Sequence, residues 1–398
     1  MTPVCEPEVS LNPAKAKVLW TTPDALTDAA KDAPARPFAA VRAKLAPVLE
    51  SVVIQGAVAV VSLCSFGVFL LVFAGKNPLA VYADMWRGSF GTRFSQSASL
   101  AKAAPLMLTA LCTALPARLG MVVIGNEGAL LLGGLAAVAV ARVFGTAMPW
   151  LTIPAMLLGG GIAGGMWIAI AGSLRQFRGV NETISTLLLY YIALAIFTFA
   201  VEDVMRDPTS LNKPSTVPIG NANMIGSIPH LPAWCPEMHW GLVVGIVACI
   251  ATYVLMEHST FGFAARIIGG NVKAARLQGL PITAIVLATC MLAGASAGIA
   301  GVIEMAVAEG KANASLNAGL GFAGILVAFV ARQNPLAVVP VALLFGGITA
   351  SGGLVQRHYD LPDATVKVFT GILFMVVLAS EMFVGRVKWL QRAEGNDR

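Results

Sequence analysis

Apolar residues run through this chain in long blocks separated by short polar stretches, not in the alternating pattern of half-buried strands. A helix that crosses a bilayer needs roughly 20 mostly apolar residues. Six windows between charges meet that length: 51–75, 143–174, 183–201, 277–303, 312–331 and 333–356. Shorter or charge-interrupted windows at 103–124, 128–144, 240–256 and 364–384 bring the expected count to ten. The predicted fold class is therefore an all-α polytopic membrane protein. A polar tail (1–50) precedes the membrane domain (51–385), and a basic tail (386–398) follows it.

Composition sharpens this reading. The 398 residues are 57% hydrophobic and 12% charged, with a mean hydropathy of +0.76, whereas soluble domains carry about 25% charged residues. A soluble enzyme, a nucleic-acid binder and a disordered scaffold are excluded. The net charge of +6 then reflects cytoplasmic loops enriched in Lys and Arg rather than an anionic ligand. With both termini cytoplasmic, 17 of the 27 Lys and Arg residues lie inside and 10 outside, which sets the expected orientation. The first 50 residues hold six basic and six acidic residues and no apolar core followed by small residues, so a cleaved signal peptide is not expected. The six cysteines form no disulfide framework or CxxC pair.

The chain matches itself at a shift of 186 residues. PWLTIPAMLLGGG from Pro149 and PLAVVPVALLFGG from Pro335 align both prolines, both leucine pairs and the glycines. These are the fourth and ninth expected spans, so they cross in opposite senses. Spans 2–5 and 7–10 then form an inverted repeat, an arrangement that places solute near the midplane beside interrupted helices. Each half has such an interruption. LGMVVIGNEGALLLGG (119–134) sets Asn126 and Glu127 among glycines, and AEGKANASLNAGLGFAG (308–324) places Glu309, Lys311 and Asn313 before Gly319, Gly321 and Gly324.

Polar residues in these breaks are the candidate chemistry. Glu127 either orients a polar solute, the default for a carboxylate at membrane depth, or caps the N-terminus of the third span. Tyr190, Tyr191, Phe197, Phe199 and Trp167 supply aromatic faces, and the scarcity of charge within the spans favours a neutral, polar, ring-bearing solute. The long cytoplasmic connection 257–281 contains GGNVKAARLQG, a short basic helix between glycines in which Ala274, Ala275 and Gly279 let a helix surface press into a partner's groove. GASAG (Gly294–Gly298) matches a nucleophile elbow, but it lies inside an uncharged span with no strand or histidine, and small residues for helix packing explain it better. GLGFAG lacks the strand-turn-helix unit of a nucleotide site. No G-x-x-x-x-G-K-[ST] occurs, so any ATP would be bound by another subunit, and the four scattered histidines give no metal site. No catalytic residue or cofactor is expected in this chain.

Taken in order, VIGNEGALLLGG, NETISTLLLYYIA (181–193), FGFAARIIGGNVKAARLQGL and GLGFAGILVAFVARQNPL resemble the permease subunit of bacterial ABC importers of the branched-chain amino acid, ribose and nucleoside group. NETIST followed by YYIA most resembles the nucleoside permeases that work with lipoprotein receptors of the basic membrane protein type. The resemblance covers about residues 50–385. It implies a multi-pass subunit of the bacterial inner membrane, cytosolic ATPase partners, a second permease subunit in a homo- or heterodimer, and an extracytoplasmic receptor docking on the outer loop 202–238, unless that loop is a disordered connector. It makes Gly270, Asn271, Lys273, Ala274, Ala275 and Gly279 the ATPase-coupling residues; Asn126, Glu127, Asn181, Glu182, Tyr190 and Asn313 are the candidates for the solute pathway. Three positions depart from the family pattern: Val123 replaces the first asparagine of N-I-G-x-E-G, Tyr190 stands where asparagine is common, and Lys273 stands where the general motif has glutamate. A stand-alone carrier driven by an ion gradient is the alternative. It fits the inverted repeat, but it calls for an intramembrane Asp/Glu/His relay and leaves the 257–281 loop unexplained.

Overall fold

The computed structural model describes residues 56–381 apart from 146–147, 211–212, 230–231, 233–234 and 363. The tails 1–50 and 386–398 lie outside the described residues. The described residues from 58 onward pack as one unit. Helix α1 (Gly56–Val72) leads to α2 (Pro78–Trp86), which starts where Asn77 caps and Pro78 fits the first turn. A π-turn (Arg87–Gly91) joins it to α3 (Arg93–Ala117). Next come α4 (Asn126–Phe144), α5 (Pro149–Arg178), α6 (Glu182–Phe199), α7 (Trp240–His258), and the short α8 (Thr260–Gly270) and α9 (Val272–Leu277). The chain continues through α10 (Ile282–Glu304), α11 (Leu320–Val330), α12 (Pro335–Tyr359) and α13 (Ala364–Glu381). Among the described residues, seven helices, α3–α7, α10 and α12, are long and apolar enough to cross a membrane, while α1, the segment Ala314–Val330 and α13 are apolar but shorter.

Both boundaries of the second span differ from expectation, and the span expected at 312–331 has its α-helix only from Leu320 to Val330. The second span was expected at 103–124; instead α3 starts at Arg93 and stops at Ala117, and α2, the π-turn and the first turns of α3 fill residues 78–102. The cause is Lys102, whose ammonium meets the Glu304 carboxylate of α10 at 2.5 Å. A charge paired within the bundle reads, from sequence alone, as the edge of a span. At the other end, Gly120 adopts φ +70° and residues 121–124 run without helix.

Between lipid-facing helices there is little hydrophobic driving force, so close backbone approach at small residues replaces it. α5 packs most extensively on α10, and α3 on α12; α4 lies against α10 as α11 lies against α3. Those pairings are interchanged when α3–α6 are exchanged with α10–α13, the relation expected of the inverted repeat. The aligned glycines sit at matching contacts. A Cβ on Gly160 would stand 2.3 Å from Val302 of α10, and one on Gly346 would stand 2.5 Å from the Ser99 carbonyl of α3. At the centre, every residue of α3 from Ala103 to Pro116 is buried, so this helix is packed against protein all round.

Candidate functional site

The two helix breaks meet. α4 begins at Asn126 with no side-chain cap of its own, and α11 begins after Gly319, which has φ +84°. Glu127 is 0% exposed and reaches from α4 to the start of α11. Its Oε1 accepts the Gly319 amide at 2.8 Å, and its Oε2 accepts the Gly321 amide. A Cβ on Gly321 would fall 2.4 Å from the Glu127 backbone nitrogen, so only glycine lets the two helix starts abut. The first amides of a helix have no intrahelical acceptor, and they carry the positive end of its dipole. One carboxylate therefore serves the N-terminus of α11 from the first turn of α4. Of the two sequence-based readings, capping describes what Glu127 does here, but the helix it caps is α11 and not its own.

Most other candidate pathway residues do similar work. Asn126 is fully buried and donates to the Thr109 carbonyl at 3.1 Å and the Thr113 hydroxyl at 2.7 Å. Asn181 caps α6 through the amides of Thr183 and Ile184, and Glu182 pairs with Arg175 at 2.6 Å. Asn313 accepts from the Ser315 amide at 2.8 Å and donates to Glu309 at 3.0 Å. Tyr190 stands edge-on to Phe322 of α11, ring centres 5.3 Å apart. Asn126, Glu127 and Tyr190 thus gather around the α4–α11 junction, while Asn181, Glu182 and Asn313 are held by local caps and ion pairs.

Beside that junction lies a cavity of about 460 Å³. It is bounded by Val122 and Ile124 of the broken segment, by α11, and by Thr349 of α12 with Lys367, Thr370 and Phe374 of α13. None of the six residues singled out from sequence for the pathway lines it. Lys367 was the legible signal: a lysine one turn into an otherwise apolar span is expensive enough to mark function.

The described part of the 202–238 loop folds onto the second break. The Thr216 amide donates to the Ala312 carbonyl and the Thr216 hydroxyl accepts the Ala312 amide, each at 2.9 Å, while Ile219 and Ile225 donate to the Gly310 and Ala306 carbonyls. Whatever moves this loop therefore pulls on the backbone leading into α11.

On the opposite end, α8 lies across the end of α3. A Cβ on Gly269 would fall 2.2 Å from the Arg118 carbonyl, and Glu257 pairs with both Arg118 and Arg266 at 3.0 Å. Asn271 caps α9 through the amides of Lys273 and Ala274, and Gly279 ends it with φ +72°. The small residues were expected to face a partner. Instead Ala275 is 0% exposed and packs with Leu119, Met121 and Ile268, because its small side chain is what lets α9 sit flat on the bundle. Val272 (47% exposed) and Leu277 (90% exposed) are the apolar groups turned outward.

The family described as the permease component of branched-chain amino acid transport systems matches residues 95–378. The chain is 30% identical to the glucose ABC transporter permease protein of Haloferax volcanii, over 81% of this chain and 86% of that one. It is 28% identical to the guanosine ABC transporter permease protein of Bacillus subtilis, over 79% and 89% of the two chains. Identity to a nucleoside ABC transporter permease protein of Lactococcus lactis subsp. cremoris is 25%, over 83% and 93%. The match runs from the first turn of α3 almost to the end of α13, so both interrupted helices and their shared carboxylate fall within it, and the chain belongs to this family of transport-system permease components.

Proposed function

We propose that this chain is the membrane-crossing subunit of an ATP-binding cassette importer that carries nucleosides, or a similar neutral polar solute such as a simple sugar, across the bacterial cytoplasmic membrane. The observation that carries this reading is the α4–α11 junction, where two helix starts meet at Glu127 beside a cavity of about 460 Å³. That volume falls in the range of small-molecule sites, and its lining is mostly apolar with a few polar groups. The glucose, guanosine and nucleoside permeases to which the chain is similar support the same solute classes.

In this reading both termini are cytoplasmic, and ATP is bound and hydrolysed by separate ATPase subunits that dock on α8 and α9. Gly270, Asn271, Ala275 and Gly279 shape the coupling loop; Lys273, with Val272 and Leu277, meets the ATPase, and Ala274 lies between. Closure of the ATPases pushes α9, and the push passes through the Gly269–Arg118 crossing and the Glu257 ion pairs into α3 and α7. Rocking of the two halves then opens the cavity to one side and closes it to the other. A second permease subunit, the same or related, completes the pathway, and an extracytoplasmic receptor delivers solute to the 202–238 loop.

The test is transport by the purified complex in vesicles. Solute should accumulate only with ATP, and hydrolysis should rise when liganded receptor is added. Accumulation by this chain alone on an imposed ion gradient would overturn the reading. A coupling-loop variant checks the docking face. Leu277→Asp should insert in normal amounts but fail to co-purify the ATPase and fail in uptake. Ala275→Leu should instead lower the amount of folded protein, since overpacking costs about 1–3 kcal/mol. Normal uptake by Leu277→Asp would remove α9 from the docking surface.

A further inference from the structure

The cavity beside α11 carries a donor and acceptor pattern that the proposed function leaves unread. Lys367 lines it, and among the described residues no carboxylate pairs with this ammonium. Lys367 is exposed at the cavity, so its ammonium leaves its N–H donors to whatever fills this mostly apolar lining. Two hydroxyls share the lining, but both have spent their hydrogens. Thr349 donates to the Phe345 carbonyl at 2.9 Å and Thr370 to the Val366 carbonyl at 3.1 Å. Their oxygens remain free only to accept. The Gly319 amide, also at the cavity, is taken by Glu127. The side chains therefore offer one charged donor and two acceptors, with Phe322, Phe329 and Phe374 among the apolar residues that make up the rest.

We infer that this cavity holds the ring of the solute, with Lys367 donating to a ring carbonyl and Thr349 and Thr370 accepting from neighbouring N–H or O–H groups. The inference rests on the nucleoside reading above and narrows it to oxo-ring nucleosides. A carbonyl oxygen is acceptor-only and carries concentrated negative charge, so it suits an ammonium. The exocyclic amino group of adenosine would set donor against donor at the same place. A site built to hydrogen-bond one substrate group discriminates strongly against an analogue that lacks it. A simple sugar satisfies the polar groups but offers the phenylalanines only C–H groups and no aromatic ring.

The experiment measures uptake of inosine, adenosine and glucose by the whole transporter, at concentrations that saturate the receptor, so that the maximal rate reports membrane passage rather than capture. The wild type should carry inosine faster than adenosine. Lys367→Met should lower the inosine-to-adenosine ratio of maximal rates by about tenfold or more, the scale of losing a charge-assisted hydrogen bond, and Lys367→Arg should restore part of that preference. Rates are normalised to the amount of protein in the membrane, so a folding defect, which lowers both solutes together, leaves the ratio alone. An unchanged ratio in Lys367→Met overturns the inference. Uptake of glucose without any nucleoside by the wild type leaves the importer reading with a sugar as its solute and overturns the nucleoside reading, and the inference with it; that failure is seen before any variant is made.

Discussion

Glu127→Gln is expected to destabilise the membrane domain, not merely to weaken its hold on solute. Both carboxylate oxygens accept backbone amides of α11 in a fully buried site. Glutamine keeps one oxygen and turns an amino group toward the other amide, leaving a buried donor unsatisfied at about 1–3 kcal/mol. It also removes the charge that offsets the positive start of α11, worth up to about 2 kcal/mol in a partly buried setting. The expected loss is therefore about 1–5 kcal/mol, and Glu127→Ala, which orphans both amides, should lose more. Thermal unfolding of the detergent-solubilised protein, followed by loss of the monodisperse peak, checks the order wild type, Gln, Ala. If Glu127→Gln were as stable as wild type yet inactive in uptake, the carboxylate would be a solute ligand and the capping account would fall.

Gly298→Ala should be as damaging, at a site where no polar group takes part. α5 and α10 touch backbone to backbone: a Cβ on Gly298 would stand 2.1 Å from the Gly160 carbonyl oxygen, and one on Gly294 would stand 2.2 Å from that of Gly164. No flexible side chain can move aside, so the helices themselves must part, and packing along the most extensive helix pair of the bundle is lost. Overpacking typically costs about 1–3 kcal/mol, and a rigid backbone collision belongs at the upper end. Gly161→Ala is the internal comparison. Its Cβ would meet Ile299 side-chain atoms at 3.5 Å, an ordinary contact, and replacing a helix-interior glycine by alanine favours the helix by up to about 1 kcal/mol. Folded yield in the membrane should fall sharply for Gly298→Ala and hold for Gly161→Ala. Equal yields would mean that α5 and α10 do not cross at these glycines.

The Gly161 contrast shows where sequence reading stops. Gly160, Gly161, Gly164 and Gly165 all mark a packing helix in the sequence, and only the partner backbone tells which of them has no room to spare. The same holds for the polar residues of the breaks. Asn126, Glu127, Asn181 and Asn313 stood out because polar groups are rare in apolar sequence. The structure spends them on backbone amides, on neighbouring side chains, and on Thr109 and Thr113, because a helix interrupted within a membrane domain exposes donors that no water can reach. Lys367 was visible in the sequence by the same rarity, but its cavity was not, since the lining comes from residues more than 200 positions apart.

What the chain determined by itself is its solvent and its punctuation. Apolar runs of membrane length, the glycine-marked breaks and the match at a shift of 186 residues are local or periodic properties, and partition into a bilayer acts on them segment by segment. Which residue caps which helix, which glycine is crowded, that Lys102 belongs inside α3 with Glu304, and that Ala275 turns inward while Leu277 turns out were decided only by the tertiary structure. Those outcomes depend on the surface of a second helix, and a buried donor, charge or backbone accepts whichever partner the packing brings within reach.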